Sequence, residues 1–432
     1  MIVCKFGGSS VASAKQLEKV KSIVESNLDR QIVVVSAPGK RDSSDIKVTD
    51  LLYSCCKEVK ETGNCDKSFT QIEKRFIEIL EDFNLDTSIM KKALSEIKEE
   101  ITLNANENYA ASRGEYLNAI VISQYFGYEF VDAAELIVIN DNGYVADETW
   151  DKITKKLDST KKYIIPGFYG VNKSGIITTF SRGGSDITGA IISKAMNASV
   201  YENWTDVAGC YNVDPRFIKK AYPIETMTYS EVRELSAFGA SVFHADAIAP
   251  VMEAGIPINI KNTNDPEANG TMIVSSKDNS GPIGVSKVSS FSKFLGKKLM
   301  LYKESGMINT LHAVLKSYGI TPNFAVQGVD SFSFLFDSEL ISGKILNDIK
   351  VRFKEDFDIS EIDILNSLSV VGVVGQDINN DIDCISKCFE ALKENNITVH
   401  QSVLGASSLS VYFVVDDDKA SKAVEVIFDK LF

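Results

Sequence analysis

Residues Lys5–Ser10 read KFGGSS and stand between the apolar run that opens the chain and a helical pattern. A strand, a glycine-rich turn and a helix N-terminus together make an anion site, because free backbone N–H groups and the helix dipole point at one spot. Two glycines after a strand are also common turn chemistry. The stretch is not a Walker A loop, because its lysine precedes the glycines. It therefore begins a strand–turn–helix unit and leaves two readings open, a phosphate site and a tight turn.

Short apolar segments like the first one recur through the first 280 residues, and most are followed by a helical pattern. They read MIVCKF, QIVVVSA, YIIPGF, GIITTF, SVYENW and IPINIK. Strands that alternate with helices predict an α/β fold with a mostly parallel sheet sandwiched by helices. Residues Lys67 to Leu103 are charged and apolar at helical spacing, which predicts a helical excursion from the sheet.

The chain changes character after KDNSGP at residues 277–282, which predicts a linker and domains at 1–282 and 283–432. Beyond it, KLMLYKE and SLSVVGVVG each begin a strand–helix–strand–strand–helix pattern, about 70 residues apart. These repeats predict two βαββαβ units. The second lacks its last strand, which residues 283–290 can supply. The first unit, about 297–367, is then inserted in the second, 283–290 plus 368–432, and a simple tandem is the alternative.

Composition and charge narrow the class of protein. The chain has 432 residues and a net charge of −13, which argues against a general nucleic-acid binder. No apolar run approaches the length of a membrane helix, and no signal segment opens the chain. Seven cysteines, an odd number, fit a reducing compartment. We therefore expect a cytoplasmic protein that binds neither nucleic acid nor membrane.

The stretch TTFSRGGSDITGA, residues 178–190, combines an arginine, two glycines and a predicted helix start. Arg182 offers a planar fork suited to a carboxylate or phosphate, and the glycines allow a ligand to approach the backbone. Ser185 and Asp186 can instead cap the helix. Capping explains the arginine and the double glycine poorly, so the stretch favours a ligand site.

Two further stretches carry candidate functional groups. WTDVAGCYNVDPR, residues 204–216, could hold a nucleotide or form an Asp-rich turn. Glu115 follows Gly114 in a helical pattern, where a lone glutamate is usually a solvated residue. The chain has only three histidines, none of them in the glycine motifs, which argues against a Ser-His-Asp or metal-histidine mechanism. A carboxylate nucleophile needs no base, and phosphoryl transfer to it needs positioning, Mg²⁺ and positive charge.

KFGGSS, SRGE, SRGGSD and WTDVAGCYNVDPR, in this order, resemble the aspartokinase family, which has the amino-acid-kinase fold. The C-terminal repeat resembles the two ACT modules of that family. The resemblance implies a catalytic domain, a regulatory domain and transfer of the γ-phosphoryl of ATP to the β-carboxylate of L-aspartate. It favours the phosphate reading of KFGGSS. The product would be 4-phospho-L-aspartate, in the first step of lysine, threonine and methionine biosynthesis.

The resemblance also implies roles for individual residues. It gives catalytic roles to Lys5 and Asp186, and substrate-binding roles to Ser36, Thr49, Glu115, Arg182, Gly183 and Ser185. The implied ATP-binding residues are Lys5, Phe6, Gly7, Gly8, Ser9, Thr205, Asp206, Tyr211, Asp214, Arg216 and Ser241. Position 241 departs from the family, because many members carry a lysine there. ATP and Mg²⁺ are the expected cofactors, and no resident metal site is expected.

The ACT modules imply feedback inhibition, with L-lysine as the expected effector. The implied effector-binding residues are Met300, Ser305, Gly306, Met307, Ile308, Asn309, Thr321, Asn323 and Gln327. Thr321-Pro322-Asn323 departs from the pattern of lysine-inhibited relatives, so threonine, alone or with lysine, stays open. ACT units usually pair, which implies a homodimer or a dimer of dimers. The alternative functions are a kinase for another amino acid, such as glutamate, and a non-catalytic amino-acid sensor.

Overall fold

The structure is a computed structural model that describes residues 1–181, 183–240, 245–405 and 407–432, without the side chains of residues 245 and 246. The chain forms two compact units. The first contains Met1–Tyr211, Pro223–Arg233 and the described residues up to Asp278. The second contains Asn212–Tyr222, residues 234–240 and Asn279–Phe432. Each unit has its own sheet.

The chain as far as Val274 alternates strands with helices. Its strands are Ile2–Phe6 (β1), Arg30–Val35 (β2), Glu129–Phe130 (β3), Tyr163–Pro166 (β4), Tyr169–Val171 (β5), Ile177–Thr179 (β6), Val200–Thr205 (β7), Thr226–Thr228 (β8), Ile258–Asn262 (β9) and Thr271–Val274 (β10). Its helices are Ala14–Glu25 (α1), Val48–Thr62 (α2), Asp66–Asp82 (α3), Ser88–Asn104 (α4), Glu107–Phe126 (α5), Ala133–Leu136 (α6), Glu148–Lys156 (α7), Gly184–Ala195 (α8), Tyr229–Ala237 (α9) and Ala245–Ala254 (α10).

The main sheet has eight strands in the order β3-β4-β2-β1-β7-β9-β10-β8. All neighbouring strands pair in parallel except β9 with β10. Buried β-branched residues fill its central strands, as in Ile32–Val35, because a sheet covered on both faces has no solvated side. The predicted α/β class is therefore confirmed. One predicted strand, GIITTF, lies outside this sheet, since β6 pairs with β5 in a separate hairpin.

The helical excursion that the sequence predicts is present as α3 and α4, which pack with α2 and α5. Their apolar faces enter a core cluster that also contains strand residues Phe6 and Val33. Phe69, Ile72 and Phe76 of α3 recur at helical spacing and are fully buried. The helical excursion therefore contributes to the hydrophobic core of the first unit.

The second unit contains ten further elements from Gly281 onward. They are Gly281–Lys297 (β11), Met307–Ser317 (α11), Phe324–Gln327 (β12), Ser331–Asp337 (β13), Gly343–Phe357 (α12), Glu361–Gln376 (β14), Ile382–Glu394 (α13), Gln401–Val403 (β15), Ser410–Asp416 (β16) and Asp417–Leu431 (α14). The strands form one sheet in the order β12-β13-β11-β14-β16-β15. All its pairs are antiparallel.

Two strands of this sheet, β11 and β14, are long enough to take part in both halves of the sheet. One half also contains β12 and β13, and the other contains β15 and β16. The first part of β11, from Gly281 to Val288, pairs with the second part of β14. The remainder of β11, Phe291–Lys297, pairs with β13 and with the first part of β14. The register shifts between the parts, where Ser290 and Ser367 have left-handed backbone angles. Such β-bulges bend a strand. Two separate core clusters lie along the sheet, one around Phe413 and one around Phe334.

One predicted strand of the second unit is wrong. KLMLYKE, residues 298–304, forms a 3-10 turn at Leu301–Lys303 rather than a strand. Met300 has a left-handed φ of 61°, and Leu299 is 75% exposed. The strand lies just before it, at Phe291–Lys297, where the buried Ser292 and Lys293 hide the apolar pattern. The sequence EIDILNS, residues 361–367, also reads as a separate strand that closes the first repeat, but it is continuous with SLSVVGVVG in the single strand β14.

Candidate active site

The KFGGSS stretch leaves β1 as a 3-10 turn, Gly8–Val11, before α1 begins. The Gly7 N–H donates to the carbonyl of Trp204 at 3.0 Å. The N-terminus of α1 lies farther on, capped by Ser13, so the expected helix N-terminus does not stand at the glycines. The anion-binding capacity here comes instead from the turn, whose first N–H groups have no acceptor within it.

A second turn, after β2, crosses the first at van der Waals distance. The Gly39 N–H donates to the carbonyl of Gly8 at 2.8 Å. A Cβ on Gly39 would lie 2.7 Å from the Gly8 carbonyl carbon, and one on Gly8 would lie 2.9 Å from the carbonyl oxygen of Ala37. Both positions therefore require glycine, and the two turns form one surface.

A buried ion pair lies beneath the first turn. Lys5 on β1 is 8% exposed, and its Nζ lies 2.7 Å from Oδ1 of Asp186. The same carboxylate oxygen accepts from Nδ2 of Asn203 at 2.8 Å. Asp186 thus binds side chains of two sheet strands and caps nothing, since the N-cap of α8 is Gly183. Ser185 in the same turn is buried against Gly167.

Glu115 is buried on α5, contrary to the expectation for a lone helical glutamate. The residue is 6% exposed, and its Oε2 accepts no hydrogen bond from any described residue. Burial raises the pKa of this carboxyl to about 8, although the backbone N–H groups of Ala37 and Glu115 itself act in the opposite direction. Gly114 allows α5 to pack closely against Ala37 in the segment after β2, because a Cβ on Gly114 would lie 2.7 Å from the Cβ of Ala37.

These elements line an open cavity of about 540 Å³ in the first unit. It is lined by Gly7, Gly8, Ser9, Ser36, Ala37, Pro38, Gly39, Lys40, Lys47, Thr49, Glu115, Thr205 and Asp206. A cavity of this size with a few convergent polar groups is typical of small-molecule sites. It combines a turn suited to an anion such as phosphate with the buried carboxylate of Glu115, which has no ion-pair partner among the described residues and suits a cation.

The cavity brings together eight of the residues that the sequence analysis singled out. They are Gly7, Gly8, Ser9, Ser36, Thr49, Glu115, Thr205 and Asp206. Lys5 lies just behind them, since its Nζ would be 3.6 Å from a Cβ on Gly7. Phe6 is buried and stacks on Trp204, so its side chain belongs to the core.

Other predicted site residues are not among those that line the cavity. They include Gly183, Ser185, Asp186 and Tyr211. Asp214 and Arg216 belong to the second compact unit, where they form an ion pair with each other at 2.7 Å. Arg182 and Ser241 lie outside the described residues.

Two lysines that line the cavity, Lys40 and Lys47, were not identified from the sequence. Both stand in a polar stretch, KRDSSDIK, that looks like an ordinary solvated turn. Within the described parts of the chain, neither ammonium group has a carboxylate partner. The only sequence signal was their position just after SAPG and just before the predicted substrate residue Thr49.

The predicted effector-binding residues lie in the second unit. Met300 and Ser305 precede α11, Gly306 is its N-cap, and Met307 to Asn309 form its first turn. Thr321 and Asn323 precede β12, which ends at Gln327. No side chain caps α11. The Met307 N–H donates to the carbonyl of Glu304, and among the described residues the N–H groups of Ile308 and Asn309 have no acceptor and can bind an anion.

The described residues offer neither a cluster of three or more metal-ligating side chains nor a helix long and apolar enough to cross a membrane. Two carboxylates, Glu115 and Asp206, are among the residues that line the cavity, and Asp206 directly follows β7. One carboxylate suits Mg²⁺ that is bound mainly by substrate phosphates, as is common for this ion.

Comparison with known protein families gives two matches. The amino acid kinase family matches residues 1–262, and the ACT domain family matches residues 371–431. The first of these spans more than half of the chain. It contains every residue that lines the cavity.

Individual relatives extend over the whole chain. Aspartokinase 3 of Bacillus subtilis is 35% identical, and the alignment covers 100% of this chain and 99% of the relative. The crystal structure of Clostridium acetobutylicum aspartate kinase, described as an allosteric enzyme, is 38% identical with a TM-score of 0.89 and covers 100% and 99%.

E. coli aspartokinase III shares the fold at lower identity. Its complex with aspartate and ADP (R-state) is 23% identical with a TM-score of 0.80 and coverage of 100% of both chains. Its complex with lysine and aspartate (T-state) is 22% identical with a TM-score of 0.78, covering 100% of this chain and 99% of the other.

Proposed function

The chain belongs to the amino acid kinase family, within which it is an aspartokinase, and we propose that its cavity transfers the γ-phosphoryl of ATP to the β-carboxylate of L-aspartate. One observation carries this assignment. The cavity joins the Gly7–Ser9 turn, suited to phosphate, to Glu115, a buried carboxylate suited to an ammonium group, one of whose oxygens has no partner among the described residues. The product is 4-phospho-L-aspartate.

Aspartate binding rests on Glu115 and its neighbours. An unpaired buried carboxylate is unfavourable, and a substrate ammonium group relieves that cost when it binds. Ser36 and Thr49, which also line the cavity, supply hydroxyl groups to the same substrate. Arg182, with Gly183 and Ser185 beside it, binds a substrate carboxylate. These roles follow the family pattern.

The nucleotide phosphates bind at the glycine turn. The N–H groups of Gly8 and Ser9 donate to the anion, and Lys5 supplies positive charge from behind the turn. Asp186 fixes the position of Lys5 through the 2.7 Å ion pair. Mg²⁺ reaches the site on ATP, with Asp206 as a protein carboxylate available to it.

The rest of the nucleotide binds to residues at and after the end of β7 and to a later segment. Thr205 and Asp206 line the cavity and support this assignment. Tyr211, Asp214, Arg216 and Ser241 complete the set on the family pattern.

The transfer step needs little from the protein beyond positioning. The β-carboxylate of aspartate is ionised at neutral pH and attacks the γ-phosphorus directly, while ADP leaves. No proton moves to or from the nucleophile. A cavity without a histidine base among its described lining residues suits this chemistry.

For the domain organisation, we propose a catalytic domain at 1–282 and a regulatory domain at 283–432. The regulatory domain consists of two ACT units, with the first, about 297–367, inserted in the second, 283–290 plus 368–432. The pairing of residues 281–288 with the second part of β14 supports the insertion, because it gives the second unit its fourth strand.

L-lysine is the proposed feedback inhibitor, bound at the strand-to-helix turn of the first ACT unit. The free N–H groups at the start of α11 suit its carboxylate, and Thr321, Asn323 and Gln327 stand on the neighbouring segment. The lysine complex of the E. coli relative supports the choice of effector. These residues are largely exposed, which fits a site completed by a second copy in a homodimer or a dimer of dimers.

The proposed setting is the cytoplasm, at the first step of lysine, threonine and methionine biosynthesis. The test is an assay with ATP, Mg²⁺ and L-aspartate in which hydroxylamine traps the acyl phosphate, run with and without L-lysine. Aspartyl hydroxamate that falls when lysine is added supports both the kinase and its effector. Hydroxamate that lysine does not affect contradicts the effector, and product from glutamate but not aspartate contradicts the substrate.

A further inference from the structure

The loop between Gly39 and Lys47 carries two positive charges to the cavity that the proposed mechanism does not use. Lys40 and Lys47 both line the cavity, at opposite ends of this loop. Among the described residues, neither ammonium group forms a hydrogen bond or an ion pair. Lysines without a partner beside a glycine turn are available to an anionic ligand.

The first end of the loop is fixed to the phosphate turn. Gly39 donates its N–H to the carbonyl of Gly8, and the two glycines pack without room for a side chain. The loop closes where the Val48 N–H donates to the carbonyl of Pro38 at 3.3 Å. Lys40 directly follows Gly39, so its backbone lies one residue from the point where the loop contacts the phosphate turn. Lys47 instead directly precedes α2, which carries Thr49 of the proposed aspartate site.

A buried arginine of the helical excursion holds the same loop from the other side. Arg75 on α3 is 4% exposed, and its Nη1 donates to the carbonyl of Gly39 at 3.1 Å. Its Nη2 binds Oδ2 of Asp45, near the far end of the loop. One planar guanidinium thus connects two points of the loop that are six residues apart.

Asp45 is the second anchor of the loop. Partial burial alone would raise its pKa, but the Arg41 backbone N–H, the Arg41 guanidinium and Arg75 lower the pKa to about 2. The Arg41 N–H donates to Oδ2 of Asp45 at 2.9 Å, and its Nε donates to the same oxygen at 3.1 Å. The anchor therefore stays charged throughout the physiological pH range.

We propose that Lys40 is a further phosphate-binding residue of the transfer reaction and that Arg75 is the positioning residue that holds it at the Gly7–Ser9 turn. This inference rests on the proposed function. It also gives the helical excursion a role in the reaction, because α3 supplies the side chain that fixes the loop. Arg75 itself touches no substrate.

The test compares Lys40→Met, Arg75→Met and the double variant by steady-state kinetics and thermal unfolding. We expect Lys40→Met to raise the KM for ATP about tenfold, the usual size for one charge-assisted hydrogen bond, without changing the Tm or the KM for aspartate. Arg75→Met should raise the KM for ATP by a similar factor and also lower the Tm. Lys57→Met, on an exposed face of α2, is the charge-matched control and should behave like the unmodified chain.

The double variant separates positioning from simple destabilisation. If Arg75 acts through Lys40, the double variant has the KM for ATP of Lys40→Met alone, because the second change has nothing left to displace. Multiplied effects would overturn the positioning role, and so would an Arg75→Met variant with a lower Tm and an unchanged KM. An unchanged KM in Lys40→Met would overturn the phosphate role. If the unmodified chain makes no aspartyl hydroxamate, the proposed function fails and this inference fails with it.

Discussion

Two of the glutamates that the first unit buries, Glu202 and Glu115, are held in opposite ways. Glu202 on β7 is 6% exposed and fully paired, because Nε and Nη2 of Arg30 donate to its two oxygens at 2.8 and 3.1 Å. Nε1 of Trp204 and Sγ of Cys4 contact it as well. Glu115 is equally buried, yet one of its oxygens has no partner among the described residues.

The difference separates a structural charge from a functional one. A buried carboxylate is tolerated when it is paired and hydrogen-bonded, which describes Glu202. Glu115 instead stays protonated near neutral pH in the empty site, because burial raises its pKa to about 8. A protein retains such a group when a ligand supplies the missing partner.

Lys5→Ala is expected to have the largest effect, because the Lys5–Asp186 pair is buried like Glu202 but lies beside the cavity. We expect turnover to fall by about 10³ to 10⁵-fold, as for other cations that stabilise a transferring phosphoryl group. The hydroxamate assay measures the loss, and circular dichroism checks that the fold remains. If the variant loses stability but keeps its turnover, Lys5 belongs with Glu202 as a structural charge.

Glu202→Gln should reduce stability without affecting catalysis. The change leaves Arg30 buried without its counter-ion, which typically lowers the free energy of unfolding by about 3–5 kcal/mol. Urea unfolding measures the loss, while the KM values for ATP and aspartate should stay unchanged. A raised KM for aspartate would show that the two carboxylates are not functionally separate.

Glu115→Gln should do the reverse, weakening aspartate binding while stabilising the empty protein. We expect affinity for aspartate to fall about 100-fold, the usual scale for removing one charge from a buried pair. The raised pKa of Glu115 makes no unfavourable contribution to stability below about pH 4.5. Its contribution becomes more unfavourable as the pH rises from there to 8, by about 1.4 kcal/mol per pH unit. The variant should therefore be more stable than the unmodified chain at pH 8 and equally stable at pH 4.

Calorimetry with aspartate and urea unfolding at the two pH values measure both effects. Glu202→Gln is the matched control, since it makes the same chemical change at a paired carboxylate. A Glu115→Gln variant that binds aspartate normally would remove Glu115 from the substrate site.

The smallest expected effect is the pH dependence of the affinity for aspartate. Only ionised Glu115 pairs with the substrate ammonium group, and a pKa of about 8 means that its ionised fraction rises about fivefold between pH 7 and pH 8. The affinity for aspartate should rise by the same factor over this range, with release of a proton on binding. Calorimetry in buffers of different ionisation enthalpy measures that proton. A flat profile would mean that Glu115 is already charged in the empty site.

Much of the fold could be predicted because burial leaves a simple pattern in the sequence. Ile32–Val35 and Phe69, Ile72 and Phe76 follow the periods of a buried strand and an amphipathic helix. The prediction failed at KLMLYKE, because exposed apolar residues there imitate a strand, while Lys293 in the real strand is buried and donates to the carbonyl of His400. Such a tertiary contact leaves no local signal.

The candidate site was predictable where it depends on glycines and a rare motif, and not where it depends on loop geometry. Gly7, Gly8 and Glu115 were named from the sequence and line the cavity. Lys40 was missed, because a lysine in a polar turn is usually solvated. Arg75 was missed because a charged residue within a helical pattern looks like part of its exposed face. The proposed roles of Lys40 and Arg75 depend on contacts between segments about 35 residues apart in the sequence. The hydrophobic periodicity of a segment carries no information about such contacts.

The two long strands of the second unit, β11 and β14, limit where the sequence of this protein can be joined to that of a relative in a chimera. Each strand passes through both halves of the sheet, with a left-handed serine, Ser290 or Ser367, at the crossing. A chimera that replaced only one half would have to join foreign and native sequence inside two strands, at the bulges. Crossover points near residue 280 avoid this, because they carry both strands intact. Recombination between relatives should therefore exchange the residues from about 280 onward as one piece. Functional hybrids with a junction inside this region should be rare.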